Sequence, residues 1–311
     1  FMAMYILKAL CVIGILLNVI LMAKKTKELR ANPEKDPEIG LNGEELWKRG
    51  LQPRNLIATC VIGFFANFFD TLGIGSFAPS SAGFKLTKAV DDILVPGTLN
   101  VGDTVPVCVE AFLFFGFVEM DPLTLILMIV VSILGSFVMA DVVSKFDRRK
   151  VRYALFVGLF ILASVVLMKN LGVGPFGTQG EALGLRGIKL VVAVVGNFIF
   201  GALMSIGVGL YAPCMAMVLA LGMNASCAFP AMMGSCAYLM AFGNGPKFIQ
   251  AGRFDMVACW TQAIFGAIGV YVAYKFVGSM DINVLTKVIV VVVYITSFLY
   301  LHDAIKKGDA A

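Results

Sequence analysis

The chain has 311 residues, 59% of them hydrophobic and only 14% charged, with a net charge of +5, and its mean hydropathy is +0.89. A soluble domain averages roughly half apolar and about a quarter charged residues. This composition therefore argues against a water-soluble enzyme or a nucleic-acid-binding module, and for an all-α polytopic membrane protein.

Taken in chain order, the first apolar run is Met2–Ala23. It runs into "KKTKELR" rather than a small-residue cleavage pattern, so a retained N-terminal transmembrane helix over 1–23 is expected, not a signal peptide. Residues 24–54 mix both charge signs and read as a cytoplasmic linker or short helix without chemistry. Further apolar runs, Leu123–Met139, Tyr153–Met168, Leu190–Leu203 and Val284–Leu301, reach or approach the ~20 residues that span a bilayer. The seven cysteines (Cys11, Cys60, Cys108, Cys214, Cys227, Cys236, Cys259) form no CxxC pair and nearly all lie in apolar segments. No disulfide framework is expected from them.

Two stretches break the apolar pattern in nearly the same words. "LGIGSFAPS" spans Leu72–Ser80 and "IGVGLYAPC" spans Ile206–Cys214. At a fixed offset of 134, Gly73 meets Gly207, Gly75 meets Gly209 and Pro79 meets Pro213. In the same register Pro96 meets Pro230, Asp121 meets Asp255, Gly135 meets Gly269 and Asp147 meets Asp281. Matched helix breakers and acids at one spacing imply two structural repeats, over 55–171 and 186–302, with a cytoplasmic tail at 303–311. Each repeat reads as a helix broken at G-[IV]-G-x-[FY]-A-P and a second helix opened by Pro96 or Pro230 and ended by Asp121 or Asp255. Two full-length helices then follow.

Orientation follows from parity. If the broken helix and the segment after it return to their starting side, three crossings remain per repeat, and the second repeat is inverted. That arrangement puts the basic clusters Lys24–Arg54, Lys145–Arg152, Lys247–Arg253 and Lys306–Lys307 in the cytoplasm, as the positive-inside rule requires. A multi-pass cell-membrane protein with its N-terminus outside and its C-terminus cytoplasmic is expected.

Inverted repeats with discontinuous helices are a pattern of secondary transporters. Irregular backbone is tolerated in lipid only where protein or a wet cavity covers it. A broken helix presents amide N–H groups and the positive end of its dipole, which suit a small anion. Gly73, Gly75, Gly207 and Gly209 are accordingly substrate-binding candidates, the alternative being close helix packing. Ser76, Ser80 and Ser81 add hydroxyls beside the first break, as N-caps or as anion donors. Tyr211, Ser235 and Cys236 hold comparable places in the second repeat, and Asn100 could face the same cavity. Asp70 in "ANFFDTLG" is a carboxylate inside an apolar helix. Such a residue is a functional candidate, here for coupling or gating, with pairing to Lys85 or Lys88 as the structural alternative. The segment "GFKLTKAVDD" reads as a solvated face or a paired cluster.

With these residues the chain resembles the TauE/SafE sulfite-exporter family, also called the four-toluene-sulfonate uptake family. The resemblance rests on Gly73-Ile-Gly75 with Ala78-Pro79, on Gly207-Val-Gly209 with Ala212-Pro213, and on the helix starts at Pro96-Gly97-Thr98 and Pro230 to Ser235. It rests also on the turns Gly116–Asp121 and Gly252–Asp255, and it covers residues 55–302. Ser76 and Leu210 stand where that family has a third glycine. The resemblance implies transport, most often export, of sulfite or a short organosulfonate, with the lipid bilayer and the small anion as partners. A cation or another anion on the same fold is the alternative. The single histidine, His302, leaves no HExxH site, and no P-loop is present, so neither an enzyme nor a cofactor or metal is expected.

Overall fold

A computed structural model describes residues 2–116, 119–138, 148–173, 180–204, 209–277, 279 and 281–305. Among these residues the chain is all-helical. It forms no strand, only an isolated bridge between Ala182 and Met223. Six helical stretches are long and apolar enough to cross a membrane: Met4–Ala31, Arg149–Lys169, Gly187–Met204, Ala225–Ala251, Met256–Val277 and Thr286–Ile305. This is a multi-pass membrane protein, and its burial pattern agrees. Ile188, Val191, Val192, Val195 and Ile199 line an exposed stripe on one helix, while Asn197 of the same helix is fully buried. Water would reverse that arrangement.

The first helix, α1 (Met2–Ala31), continues eight residues beyond the expected end at Ala23. Lys, Glu, Leu and Arg are good helix formers, and nothing stops the helix before Asn32-Pro33. Residues 32–50 are not a free linker. Arg253 pairs with Asp36 at 3.1 Å and also with Glu38. Helix α2 (Gly43–Gly50) starts from a capping box in which Asn42 and Glu45 bond each other's backbone N–H. A Cβ built on Gly43 would lie 2.1 Å from the Leu29 carbonyl oxygen, and one on Gly50 would lie 2.7 Å from Val257. The charged segment is thus strapped down at both ends.

The remaining helices are α3 (Pro53–Thr71), α4 (Phe77–Thr87), α5 (Val95–Gly102), α6 (Thr104–Phe114), α7 (Pro122–Val138) and α8 (Arg148–Leu171). They continue as α9 (Gly187–Met204), α10 (Tyr211–Ala220), α11 (Ala228–Leu239), α12 (Gly245–Ala251), α13 (Met256–Thr261), α14 (Ala267–Val277) and α15 (Ile282–Ile305). Turns of π-helix at Met240–Asn244 and Gln262–Gly266 join α11 to α12 and α13 to α14. The starts of α3 and α9, α4 and α10, α7 and α13, and α8 and α15 each lie 134 residues apart. Asp121 and Asp255 do not end the preceding helix, as the sequence suggests, but cap the next one. Their carboxylates accept from the N–H of Thr124 and Ala258, each at 2.9 Å. A short acceptor just ahead of an apolar run is an N-cap.

The chain divides into two compact units, and each draws on both halves of the sequence. The first comprises residues 1–71, 75–113 and 237–275, the second 72–74, 114–236 and 276–311. In the first, α3 packs on α4, α13 and the π-turn at Gln262–Gly266. Met22 of α1 packs into a core with Val101, Ile249, Phe254 and Cys259. In the second, α7 packs on α9 and α8 on α15. The same crossing recurs in each unit with the halves exchanged. A Cβ on Gly269 would lie 2.3 Å from the Phe64 carbonyl oxygen, and one on Gly135 2.0 Å from that of Phe198. Gly266 abuts Asn67, and Gly201 abuts Ser132. Gly63 abuts Gln262, and Asn197 Nδ2 donates to the Met128 carbonyl at 2.7 Å. In all three comparisons each residue maps onto its counterpart by the shift of 134.

Candidate functional site

Helix α3 is apolar through its middle, and near its end "ANFFDT" puts Asn67, Asp70 and Thr71 at i, i+3 and i+4, on one helical face. The chain leaves the helix at Thr71 and re-enters helix at Phe77. Between them Gly73 and Gly75 take φ of +94° and +90°, a region that disfavours residues with a side chain. Ser76 precedes α4 and Leu210 precedes α10 with nearly equal dihedrals, −79°/−26° and −80°/−25°. The first intrahelical bonds run from Ser80 N to Ser76 O and from Cys214 N to Leu210 O, each at 3.0 Å. In α4, therefore, the amides of the first two residues have no partner within the helix, and Pro79 and Pro213 sit in the first turn, where no N–H is needed.

Against α3 lies the joint between α5 and α6. Asp103 occupies that joint, and Asn100, Asp103, Thr104 and Glu110 are all buried. Asn67 Nδ2 donates to Asp103 Oδ1 at 3.1 Å and to the Gly63 carbonyl at 2.9 Å. The Thr71 hydroxyl lies 2.7 Å from Glu110 Oε1. The Ser76 hydroxyl lies near the carboxylates of Asp70 and Asp103, and its backbone N–H lies near that of Asp70. Gln262, on the π-turn, reaches Ser80 Oγ through Nε2 at 3.5 Å. All of these side chains belong to the first unit, and Asp70, Asp103 and Gln262 are at most 2% exposed.

The acceptors outnumber the donors. Asn67 Oδ1, Asp70 Oδ2, Asn100 Oδ1, Asp103 Oδ2 and Gln262 Oε1 are buried and accept no hydrogen bond. Asp70 and Asp103 have no ion-pair partner among the described residues. Lys85 and Lys88 are exposed, and Asp91 of the same segment pairs with Arg49 instead. Burying a carboxylate without a counter-charge is strongly unfavourable, and an unsatisfied buried acceptor costs about 1–3 kcal/mol.

The other candidates fall elsewhere. Ser81 is half-buried beside Ser80 and takes no part in the cluster. Gly73 lies in the second unit, as do Gly209, Tyr211, Ser235 and Cys236. There the Gly209 carbonyl accepts from the Tyr300 hydroxyl at 3.4 Å, and Ser235 Oγ accepts from Asn197 at 2.8 Å. Cys236 Sγ lies 3.7 Å from Met204 Sδ, and Tyr211 is buried. Gly207 and Asp147 lie outside the described residues. Sequence reading missed Asn67, Glu110 and Gln262 as members of the site. Each is a lone polar residue in an apolar helical stretch, which was the available signal.

Comparison with protein-family models, with curated proteins and with solved structures finds no match to this chain.

Proposed function

We propose that the protein is a secondary transporter of a small anion, in the sulfite and short-organosulfonate class, working through two inverted repeats that each contain a broken helix. The observation that carries this reading is the exchanged contact. Gly269 meets Phe64 as Gly135 meets Phe198, a reciprocity that two-fold related halves produce. The shared element starts and the matching geometry at Ser76 and Leu210 support it further. Inverted halves with interrupted helices provide alternating access by moving one bundle against the other.

The breaks supply what an anion needs: amides at a helix start, glycine that lets a ligand approach the backbone, and neighbouring hydroxyls. The first break carries an added condition. Its Ser76 amide already faces the Asp70 carboxylate, so an anion there competes with a fixed negative charge unless that charge is neutralised. Neutralisation by a co-bound cation or proton is how cargo and driving ion become linked in one cycle.

Reconstitution into proteoliposomes tests the reading. Counterflow of sulfite, sulfoacetate, isethionate, taurine, thiosulfate and sulfate is measured against protein-free vesicles. Saturable movement of at least one sulfur anion is the expected result. If none moves while a cation does, the cargo assignment is wrong.

A further inference from the structure

We propose that the polar core of the first unit is a binding site for one sodium ion, held by side-chain oxygens of Asn67, Asp70, Asp103 and Gln262 beside the Ser76 hydroxyl. The proposal rests on the transporter reading only for its role, as the coupling ion. Binding itself stands apart from the cargo.

Three observations converge on a cation. First, the five unpartnered side-chain atoms of this core are all oxygens, an arrangement that suits a positively charged guest. Second, three of the five belong to neutral amides, Asn67, Asn100 and Gln262, which a proton does not titrate. Protons on Asp70 and Asp103 would supply only two O–H donors. Third, the backbone is shaped around these groups. A Cβ on Gly102 would lie 2.3 Å from Gln262 Oε1, and one on Gly266 2.7 Å from Asn67 Nδ2. Gln262 and Gly266 bound a π-turn, an interruption frequent at functional sites.

The charge of the guest follows from the ligand count. Calcium takes 6–8 oxygens, several from carboxylates. Among the described residues no three His, Cys, Asp or Glu side chains group so as to hold a metal ion. With one of the two buried carboxylates protonated, a single negative charge remains among the amide and hydroxyl oxygens, which a monovalent ion balances. A single such site per chain follows from the repeat. At the shift of 134, Asn67, Asp70, Asp103 and Gln262 correspond to Gly201, Met204, Ala237 and Met128, none of which carries a polar side chain.

The test uses purified full-length protein in detergent at constant pH and ionic strength, with choline chloride replaced stepwise by NaCl or KCl. Thermal unfolding and the emission of Trp260, two residues from Gln262 on the same helical stretch, are followed. The expected result is a saturable response to sodium with none to potassium at equal concentration. That response is lost in Asp70→Asn and Asp103→Asn. In Gln262→Met, which installs the residue found at the equivalent position 128, half-saturation moves at least tenfold higher. If the Asp variants do not fold, the Gln262→Met shift alone decides. Equal responses to sodium and potassium overturn the proposal, as does stabilisation by acid with no sodium effect, or a sodium response retained in foldable Asp variants. Anion counterflow without sodium binding would overturn this site and leave the cargo reading intact. Sodium binding without anion flux would do the reverse.

Discussion

Replacing Gly135 or Gly269 by alanine tests the exchanged crossing directly. The new methyl carbon would start 2.0 Å from the Phe198 carbonyl oxygen in one variant and 2.3 Å from that of Phe64 in the other. Carbon and oxygen settle at about 3.3–3.6 Å, so each helix pair must part by roughly 1 Å. The obstacle is backbone, which cannot swing aside. Overpacking of this kind costs about 1–3 kcal/mol, partly offset by the ~0.5–1 kcal/mol that alanine gains over glycine in a helix. A net loss of roughly 1–2 kcal/mol is expected for each variant. Gly158, within α8, has nothing within 4 Å of its built Cβ, and Gly158→Ala is expected to stabilise by about 0.5–1 kcal/mol. The assay is thermal unfolding of the detergent-solubilised protein, followed by tryptophan emission, for the three variants beside the wild type. If Gly135→Ala and Gly269→Ala differ widely, or both behave like Gly158→Ala, the crossings are not equivalent and the reciprocity fails.

Other outcomes are equally definite. Arg186, bonded to Asp121 at 2.8 and 2.9 Å, holds that carboxyl below the usual carboxylate range. Its contribution is present above the unfolded pKa of about 3.9 and is lost as pH falls through the lower folded value. Because Arg186 is 63% exposed, solvent screens the pair and the effect is small, and Asp121→Asn should flatten the acid limb of a melting-point profile. Asp255 behaves oppositely, since burial pushes its carboxyl up to about 6. Its stabilisation is complete below about pH 3.9 and fades as pH rises through about 6. Asp255→Asn should therefore melt higher than wild type at pH 8, whereas Asp255→Ala, which removes the α13 cap, should lose about 1 kcal/mol. Gly75→Ala meets no neighbour within 4 Å, so its expected loss of about 1–2 kcal/mol comes from the left-handed backbone alone. Unchanged melting would mean that the turn relaxes freely.

The punctuation of the fold was legible in the sequence because glycine, proline and capping acids act locally. Gly73, Gly75 and Pro79 mark the gap between α3 and α4, and the offset of 134 predicts where α9, α10 and α15 begin. The end of α1 is not legible from the change in charge at Lys24, because only Asn32-Pro33 carries a physical stop. Asp121 and Asp255 were placed correctly and given the wrong direction, since an acid between two helices reads as an end or as a start until its hydrogen bonds are seen. The polar core was legible only in part. Asp70 stands out as an acid in an apolar helix and Asn100 follows Pro96, but Gln262 comes from almost 200 residues further along. Nothing local in "WTQAIFG" says that its amide faces Ser80.

Residues 237–275 complete the first unit although they emerge from the ribosome long after α3 does. Until they arrive, the polar face of Asn67 and Asp70 has neither Gln262 nor Gly266 to lie against. A chain halted before position 237 would hold a buried acid with half its surroundings missing. The first unit therefore closes only after the residues between its early and late segments have been made.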